Sequence, residues 1–259
     1  MSTALITGAS AGIGTSYARR LAARGHDLVL VARSTDKLEA LAAELRSSHS
    51  IKVEVLPADL TDTAQLNVVS DRLRTGSPID ILINNAGDSL PGTFATAQPE
   101  ALAWLIQLNV TAPTLLASAA LAGMLERGEG SIVNIGSAVA LLPEYFPGIY
   151  SGTKSYILTF SQGLAAEVGP RGIYVQAVLP AATRTAIWAR SGVDVASLQN
   201  VMEVDDLVDA ALVGFDQKEG VTIPPLADAA LWDAFQAARH ALPPSLANAA
   251  PADRYRLKA

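Results

Sequence analysis

Thr3-Ala4-Leu5-Ile6-Thr7-Gly8-Ala9-Ser10-Ala11-Gly12-Ile13-Gly14 decides how the rest of the chain is read. The first five residues form a short apolar strand, the glycines permit a tight turn, and an amphipathic helical pattern opens at Ile13. Strand, glycine turn and helix N-terminus in that order make a cradle for a pyrophosphate: the backbone approaches closely and the helix end stabilises the negative charge. Gly8, Ser10, Gly12, Ile13 and Gly14 are the candidate contacts. The spacing is G-x-x-x-G-x-G rather than the G-x-G-x-x-G of other dinucleotide folds. A tight strand-to-helix turn with no ligand is the competing reading.

Outward from this turn, short β-rich runs alternate with longer helical patterns. Strands are expected at 4–7, 27–32, 52–56, 79–84, 131–135 and 173–179, and helices at 13–24, 35–47, 63–75, 99–126 and 150–168. Strands such as Leu28-Val29-Leu30-Val31 are apolar without interruption, as expected where helices cover both faces of a sheet. The pattern predicts an α/β doubly wound Rossmann-type domain with a parallel sheet of about seven strands. After Leu179 the rhythm breaks. An irregular stretch, 180–203, is a candidate substrate loop; a helix at 205–215, a short strand at 220–224, an amphipathic helix at 227–242 and a mobile tail from 248 to 259 follow.

With 259 residues, 50% hydrophobic and 17% charged, the chain supports one sizeable core, so a single domain over 1–259 is expected. The net charge is -6 and the nineteen basic residues are scattered, which argues against nucleic acid and membrane-surface partners. There is no cysteine, and His26, His49 and His240 are far apart, so thiol chemistry and a metal site are not expected. The start of the chain reads as a strand rather than a secretory leader, and the apolar stretch 112–125 is shorter than the ~20 residues a bilayer needs. A cytoplasmic location follows as an expectation.

The second strand ends at Ala32-Arg33-Ser34, where an NAD-binding chain would carry a carboxylate for the ribose hydroxyls. The Arg33 guanidinium suits a 2′-phosphate instead, which favours NADP(H) over NAD(H). Asp36 reads as helix-dipole compensation in the next helix.

Tyr150 and Lys154 are four apart on one face of a helix. An adjacent ammonium is expected to lower the phenol's pKa toward neutrality, giving an acid-base group without histidine. Ser137 closes the fifth strand at the carboxyl edge of the sheet, where its hydroxyl can hydrogen-bond a reacting carbonyl oxygen. Alone, Ser137 reads as a turn serine and Tyr-x-x-x-Lys as an accident of helix packing; together they make a site.

From Thr3 to about Thr185 the sequence resembles the short-chain dehydrogenase/reductase family. The resemblance rests on Thr7-Gly8-x-x-x-Gly12-x-Gly14, Asp59-Leu60, Asn84-Asn85-Ala86-Gly87, Asn109, Ser137 and Tyr150-x-x-x-Lys154, in order. It implies that Asp59-Leu60 lies at the adenine, that Asn85-Ala86-Gly87 borders the adenosine side of the cofactor, and that Tyr150 and Lys154 also touch the cofactor, Lys154 at the nicotinamide ribose. It further implies that Asn109 holds a water linking Lys154 to solvent, and that Pro180, Thr183 and Thr185 lie near the nicotinamide or diphosphate. Read from the residues alone, Asp59 could cap a helix beginning near Thr61, Asn85-Ala86-Gly87 could be turn chemistry, and Asn109 is a polar residue inside an apolar helix that asks for a partner. The family usually has Pro-Gly where this chain has Pro180-Ala181.

The substrate pocket is expected to draw on residues 138–149 and on Ile187-Trp188, with Ser137, Leu141, Leu142, Tyr145, Phe146 and Trp188 making a mostly apolar wall and Glu144 left to solvent. The expected function is carbonyl and alcohol interconversion by hydride transfer on a small molecule with a hydrophobic body. The resemblance implies a homodimer or homotetramer built on the long helices. A non-catalytic NADP-binding sensor or scaffold of the same fold is the alternative; an enoyl reductase or sugar epimerase fits Tyr150-x-x-x-Lys154 and the short C-terminal part less well.

Overall fold

The computed structural model describes residues 2–146 and 148–256. Seven parallel strands, β1 (Thr3–Thr7), β2 (Asp27–Ala32), β3 (Val53–Pro57), β4 (Ile81–Asn84), β5 (Gly130–Ile135), β6 (Ile173–Val178) and β7 (Val221–Thr222), form one sheet in the order β3-β2-β1-β4-β5-β6-β7. The connections are α1 (Gly12–Ala23), α2 (Thr35–Ser48), α3 (Thr63–Thr75), α4 (Pro99–Ile106), α5 (Ala112–Arg127), α6 (Gly148–Val168), α7 (Ile187–Arg190) and α8 (Val204–Asp216).

Alternation along β1 shows why the strands are apolar throughout. Ala4 and Ile6 enter a core with Tyr17 and Leu21 of α1, Leu38 and Leu41 of α2, and Val208 and Leu212 of α8. Leu5, pointing the other way, joins Leu66 and Val69 of α3, Leu116 and Met124 of α5, and Leu164 of α6. Leu5 and Ile6 are fully buried, and each such side chain contributes about 1.5–3 kcal/mol relative to an exposed one. The strand order reverses direction between β1 and β4, which pair with each other in parallel, so a crevice opens at their carboxyl ends.

The long helix expected at 99–126 is three pieces. A π-turn, Gln107–Thr111, separates α4 from α5. The whole run, Pro99–Arg127, is long and apolar enough to cross a membrane by length and composition; here Ala112, Leu116, Ala120 and Met124 pack on the sheet. The chain divides into two compact units, one ending at Pro225 and one beginning at Leu226. The second holds α9 (Ala229–His240), capped by Asp228 Oδ1, which accepts from the Ala230 N–H at 3.0 Å, and α10 (Leu242–Leu246). Within α9, Trp232 and Phe235 stack at 5.6 Å. Residues 257–259 of the expected mobile tail lie outside the described residues.

Candidate active site

A cleft of about 800 Å³ runs along the carboxyl ends of the strands. At one end the turn after β1 supplies Gly8, Ser10, Gly12 and Ile13. Gly8 sits at φ +66°, and a Cβ there would lie 2.8 Å from Asn85 Nδ2 and 3.0 Å from Ala86 Cα. Both the handedness and the space require glycine. Gly14 does not line the cleft; it allows α1 to pack against the turn, since a Cβ would lie 2.3 Å from the Gly8 carbonyl oxygen. The N-cap of α1, Ala11, offers no side-chain acceptor, and the first turn of α1 has no acidic residue. The helix therefore presents uncapped N–H groups beside the cleft, as an anion site needs.

Arg33 follows β2 and lines the cleft with 64% of its side chain exposed, its Nη1 4.0 Å from Asp59 Oδ2. Asp59 and Leu60 line the same end. Asp59 does not cap a helix: its Oδ1 accepts from the Thr61 N–H at 2.9 Å and the Thr61 hydroxyl at 2.7 Å, while Asp62 caps α3 by accepting from the Gln65 N–H at 2.9 Å.

Asn85, Ala86 and Gly87 leave β4 and fasten it to the turn after β1. The Asn85 side chain donates to the Thr7 carbonyl at 2.8 Å, and the N–H groups of Asn85 and Ala86 donate to Thr7 Oγ1 at 2.9 and 3.0 Å. Asn109 finds the partners its position demanded. Its Oδ1 accepts from the Asp88 N–H at 3.0 Å, and its Nδ2 donates to the Asp88 carbonyl at 2.8 Å and to Thr153 Oγ1 at 3.1 Å. It lies inside the π-turn and behind the cleft wall rather than in it, and π-turns of this kind recur at functional sites.

Ser137, Tyr150 and Lys154 come together in the middle of the cleft. Ser137 donates to the Pro180 carbonyl at 3.4 Å and hydrogen-bonds with the Tyr150 hydroxyl. Lys154 donates from Nζ to the Ile135 carbonyl at 2.9 Å and lies 5.8 Å from the Tyr150 ring centre. The expected lowering of the Tyr150 pKa is not what the structure gives. Burial pushes it up to about 12, helped by the Asp88 charge and only partly offset by the Ser137 bond. Burial also pulls Lys154 down to about 8, against the opposing charge of Asp88. The cation meant to lower the phenol is thus itself desolvated and loses its proton well before the phenol would.

Beyond Tyr150 the cleft is apolar. Phe146 lies 5.8 Å from the Tyr150 ring and 6.1 Å from that of Trp188, and the Trp188 Nε1–H donates to the Thr183 carbonyl at 2.7 Å. Leu142 and Tyr145 border the cleft too, although Tyr145 is 78% exposed and contributes an edge rather than a wall. Leu141 is not among the lining residues, and Pro147, within the stretch expected to line the pocket, lies outside the described residues. Pro180, Thr183 and Thr185 border the cleft opposite the turn after β1. Ala181 needs no left-handed backbone, since Asn200 and Lys218 are the non-glycine residues with positive φ among those described. Alanine in place of the family's glycine therefore costs no strain.

The short chain dehydrogenase family model matches residues 2–195. The chain belongs to that family. Among solved structures, a short-chain dehydrogenase from Sphingobium yanoikuyae in complex with NADPH is 56% identical, covering 99% of this chain and 100% of that one, with a TM-score of 0.97. A bulky-bulky ketone specific alcohol dehydrogenase from Comamonas testosteroni is 49% identical over 98% of both chains, with a TM-score of 0.92. A very-long-chain 3-oxoacyl-CoA reductase of Anas platyrhynchos is 35% identical over 184 residues; the match takes in 68% of this chain and 58% of that protein's length.

Three residues of this short-chain dehydrogenase escaped the sequence reading. Ser34 lines the cleft beside Arg33 at the N-cap of α2 with its hydroxyl not used as a cap. Its place at the end of the second strand, next to the arginine, was the available signal. Asp88 follows directly on Asn85-Ala86-Gly87, is 7% exposed, and acts electrostatically on both Tyr150 and Lys154. Arg190 Nε meets its carboxylate at 2.7 Å. The latter two are 102 residues apart, and no local pattern joins them.

Proposed function

We propose that the chain is an NADP(H)-dependent oxidoreductase that interconverts a ketone or aldehyde and an alcohol, with Tyr150 as the general acid and base. The observation that carries this reading is the meeting of Ser137, Tyr150 and Lys154 in the same cleft as an uncapped helix N-terminus. The residues fit the dinucleotide: the turn after β1, held in its tight form by Gly8, whose Cβ would strike Asn85 and Ala86, presents the uncapped end of α1 to a pyrophosphate, and Arg33 with Ser34 offers a cation and a hydroxyl to a 2′-phosphate. The NADPH-bound relative supports the same cofactor. Bound in its reduced form, the nicotinamide supplies the hydride.

The protein's own part is proton transfer and charge stabilisation. With its pKa pushed up to about 12, Tyr150 keeps its proton at neutral pH, the state that reduction requires. It donates that proton to the carbonyl oxygen while the Ser137 hydroxyl hydrogen-bonds the same oxygen. The developing phenolate is stabilised by Lys154, held by the Ile135 carbonyl at 2.9 Å. In the reverse direction the phenolate takes the alcohol proton. Asn109 positions Lys154 indirectly, through the backbone of Asp88 and through Thr153 of α6.

Phe146, Trp188 and Leu142 favour a substrate with a bulky apolar body, in keeping with the ketone-specific and very-long-chain relatives. We place the enzyme in the cytoplasm as a homodimer or homotetramer. The apolar surface on α5 and α6, with Leu115 exposed and Tyr156 stacked on Phe160 at 5.6 Å, supports association of copies. Oxidation of NADPH and NADH in the presence of bulky aryl ketones and of small charged carbonyl compounds tests the reading. NADPH-preferring turnover of the bulky ketones is expected; activity confined to small, highly charged substrates would overturn the substrate class.

A further inference from the structure

The loop between β6 and α8 is pinched at its base. Thr183 and Met202 pair as an isolated bridge, the Met202 N–H donates to the Ala182 carbonyl at 2.9 Å, and Arg184 Nε reaches Glu203 Oε1 at 2.7 Å. A loop with a closed neck keeps its shape but can swing as a unit. It carries α7, and with it Trp188, over the reaction centre.

Beyond its neck, among the described residues, this loop makes one side-chain polar link to the rest of the fold. Arg190 Nε donates to both carboxylate oxygens of Asp88, at 2.8 and 2.7 Å. The two ends differ in character. Asp88 is a fixed post: its side chain is 9% exposed, both its backbone groups are held by Asn109, and the neighbouring Gly87 lies beside Lys154 Nζ. Arg190 is 49% exposed and sits at the end of a four-residue helix with little else to fix it. The pair therefore ties a movable loop after β6 to a rigid point after β4, with the cleft between them.

We propose that Arg190 is a positioning residue for substrate: its ion pair with Asp88 holds the 184–201 loop down, so that Trp188 completes with Phe146 the wall on which an apolar substrate packs beside Tyr150. The inference rests on Tyr150 being the reaction centre. Arg190 borders the same cleft with its side chain paired to Asp88, and it acts through the placing of Trp188, so its effect is expected mainly on substrate binding. Loops of this kind act by gating the site.

The test uses the full chain with Arg190→Gln and Arg190→Lys: kinetics are read in the native background, because Trp104 also lines the cleft, and fluorescence in one carrying Trp104→Phe and Trp232→Phe, which leaves Trp188 as the one tryptophan. For Arg190→Gln the KM for a bulky aryl ketone is expected to rise about five- to tenfold while kcat stays within about twofold, as for loss of one half-exposed charge-assisted bond. NADPH affinity is expected to stay unchanged, and Arg190→Lys restores most of the KM. Acrylamide quenching of Trp188 fluorescence, read without substrate, is expected to increase in Arg190→Gln. Unchanged KM and unchanged quenching would overturn the proposal, as would equal losses in kcat and KM in both variants with a lowered melting temperature. Because quenching needs no turnover, a wild-type protein inert on every ketone would count against the reductase reading while the quenching result still decides the loop.

Discussion

Replacing Arg33 by Ser is expected to remove most of the preference for NADPH while leaving NADH binding nearly untouched. The guanidinium is 64% exposed and stands 4.0 Å from Asp59 Oδ2. In so open a setting a unit charge pair at 4 Å is worth about 1 kcal/mol, and a 2′-phosphate carries about -1.5 to -2 charges. Charge-assisted hydrogen bonds from the guanidinium add to this, and Asp59, already competing for the same cation, subtracts from it. A net loss of about 2–3 kcal/mol corresponds to weakening of NADPH by about 30- to 150-fold. Arg33→Ser also leaves the Asp59 carboxylate unopposed beside the phosphate, which acts in the same direction. Fluorescence titration with NADPH and NADH, for wild type and variant side by side, gives the ratio directly. A ratio that moves by less than about threefold would refute the assignment of Arg33 to the 2′-phosphate, because a single charge contact at about 4 Å already exceeds that.

Gly8→Ala is expected to lower the melting temperature by several degrees and abolish NADPH binding, since the new methyl must sit at φ +66° and 2.8 Å from Asn85 Nδ2; such a position costs about 1–3 kcal/mol. Unchanged melting and binding would show that the turn tolerates a side chain. Lys154→Met should alter the pH dependence of stability. Burial brings the native pKa of Lys154 down to about 8, below the 10.5 of an unperturbed lysine, so the unfolded chain binds the extra proton between those values. Stability attributable to Lys154 is then present above 10.5 and lost as pH falls through 8, and wild type should gain about 2–3 kcal/mol across that window that Lys154→Met does not. Denaturant midpoints measured from pH 8 to 10.5 check this; parallel curves for the two proteins would contradict it.

What the sequence made legible follows from how local each signal is. The helix at Thr63–Thr75 was legible from its local apolar spacing, whereas its cap is Asp62, just before the first turn, and not the Asp59 that the residues also offered. The order of the motifs placed Gly8, Arg33, Asp59, Ser137, Tyr150 and Lys154 around one cleft, since every one lies at a strand's carboxyl end or on the helix beside it. The π-turn at Gln107–Thr111 was invisible: one extra residue in a turn leaves the apolar pattern on either side intact. The four-residue spacing of Tyr150 and Lys154 correctly foretold a shared helix face, yet the sign of the Tyr150 shift depends on burial, which the spacing does not carry. Asp88 and Arg190 needed the fold to bring them together.

The most direct test of the central claim is kcat for reduction of a bulky aryl ketone by Tyr150→Phe, with NADPH affinity measured on the same preparation. Removing the hydroxyl while keeping the ring against Phe146 should leave NADPH binding within about twofold and reduce kcat by about 10²–10⁴, the span of general acid catalysis. Turnover by Tyr150→Phe within about tenfold of wild type, with cofactor still bound, would contradict Tyr150 as the proton donor.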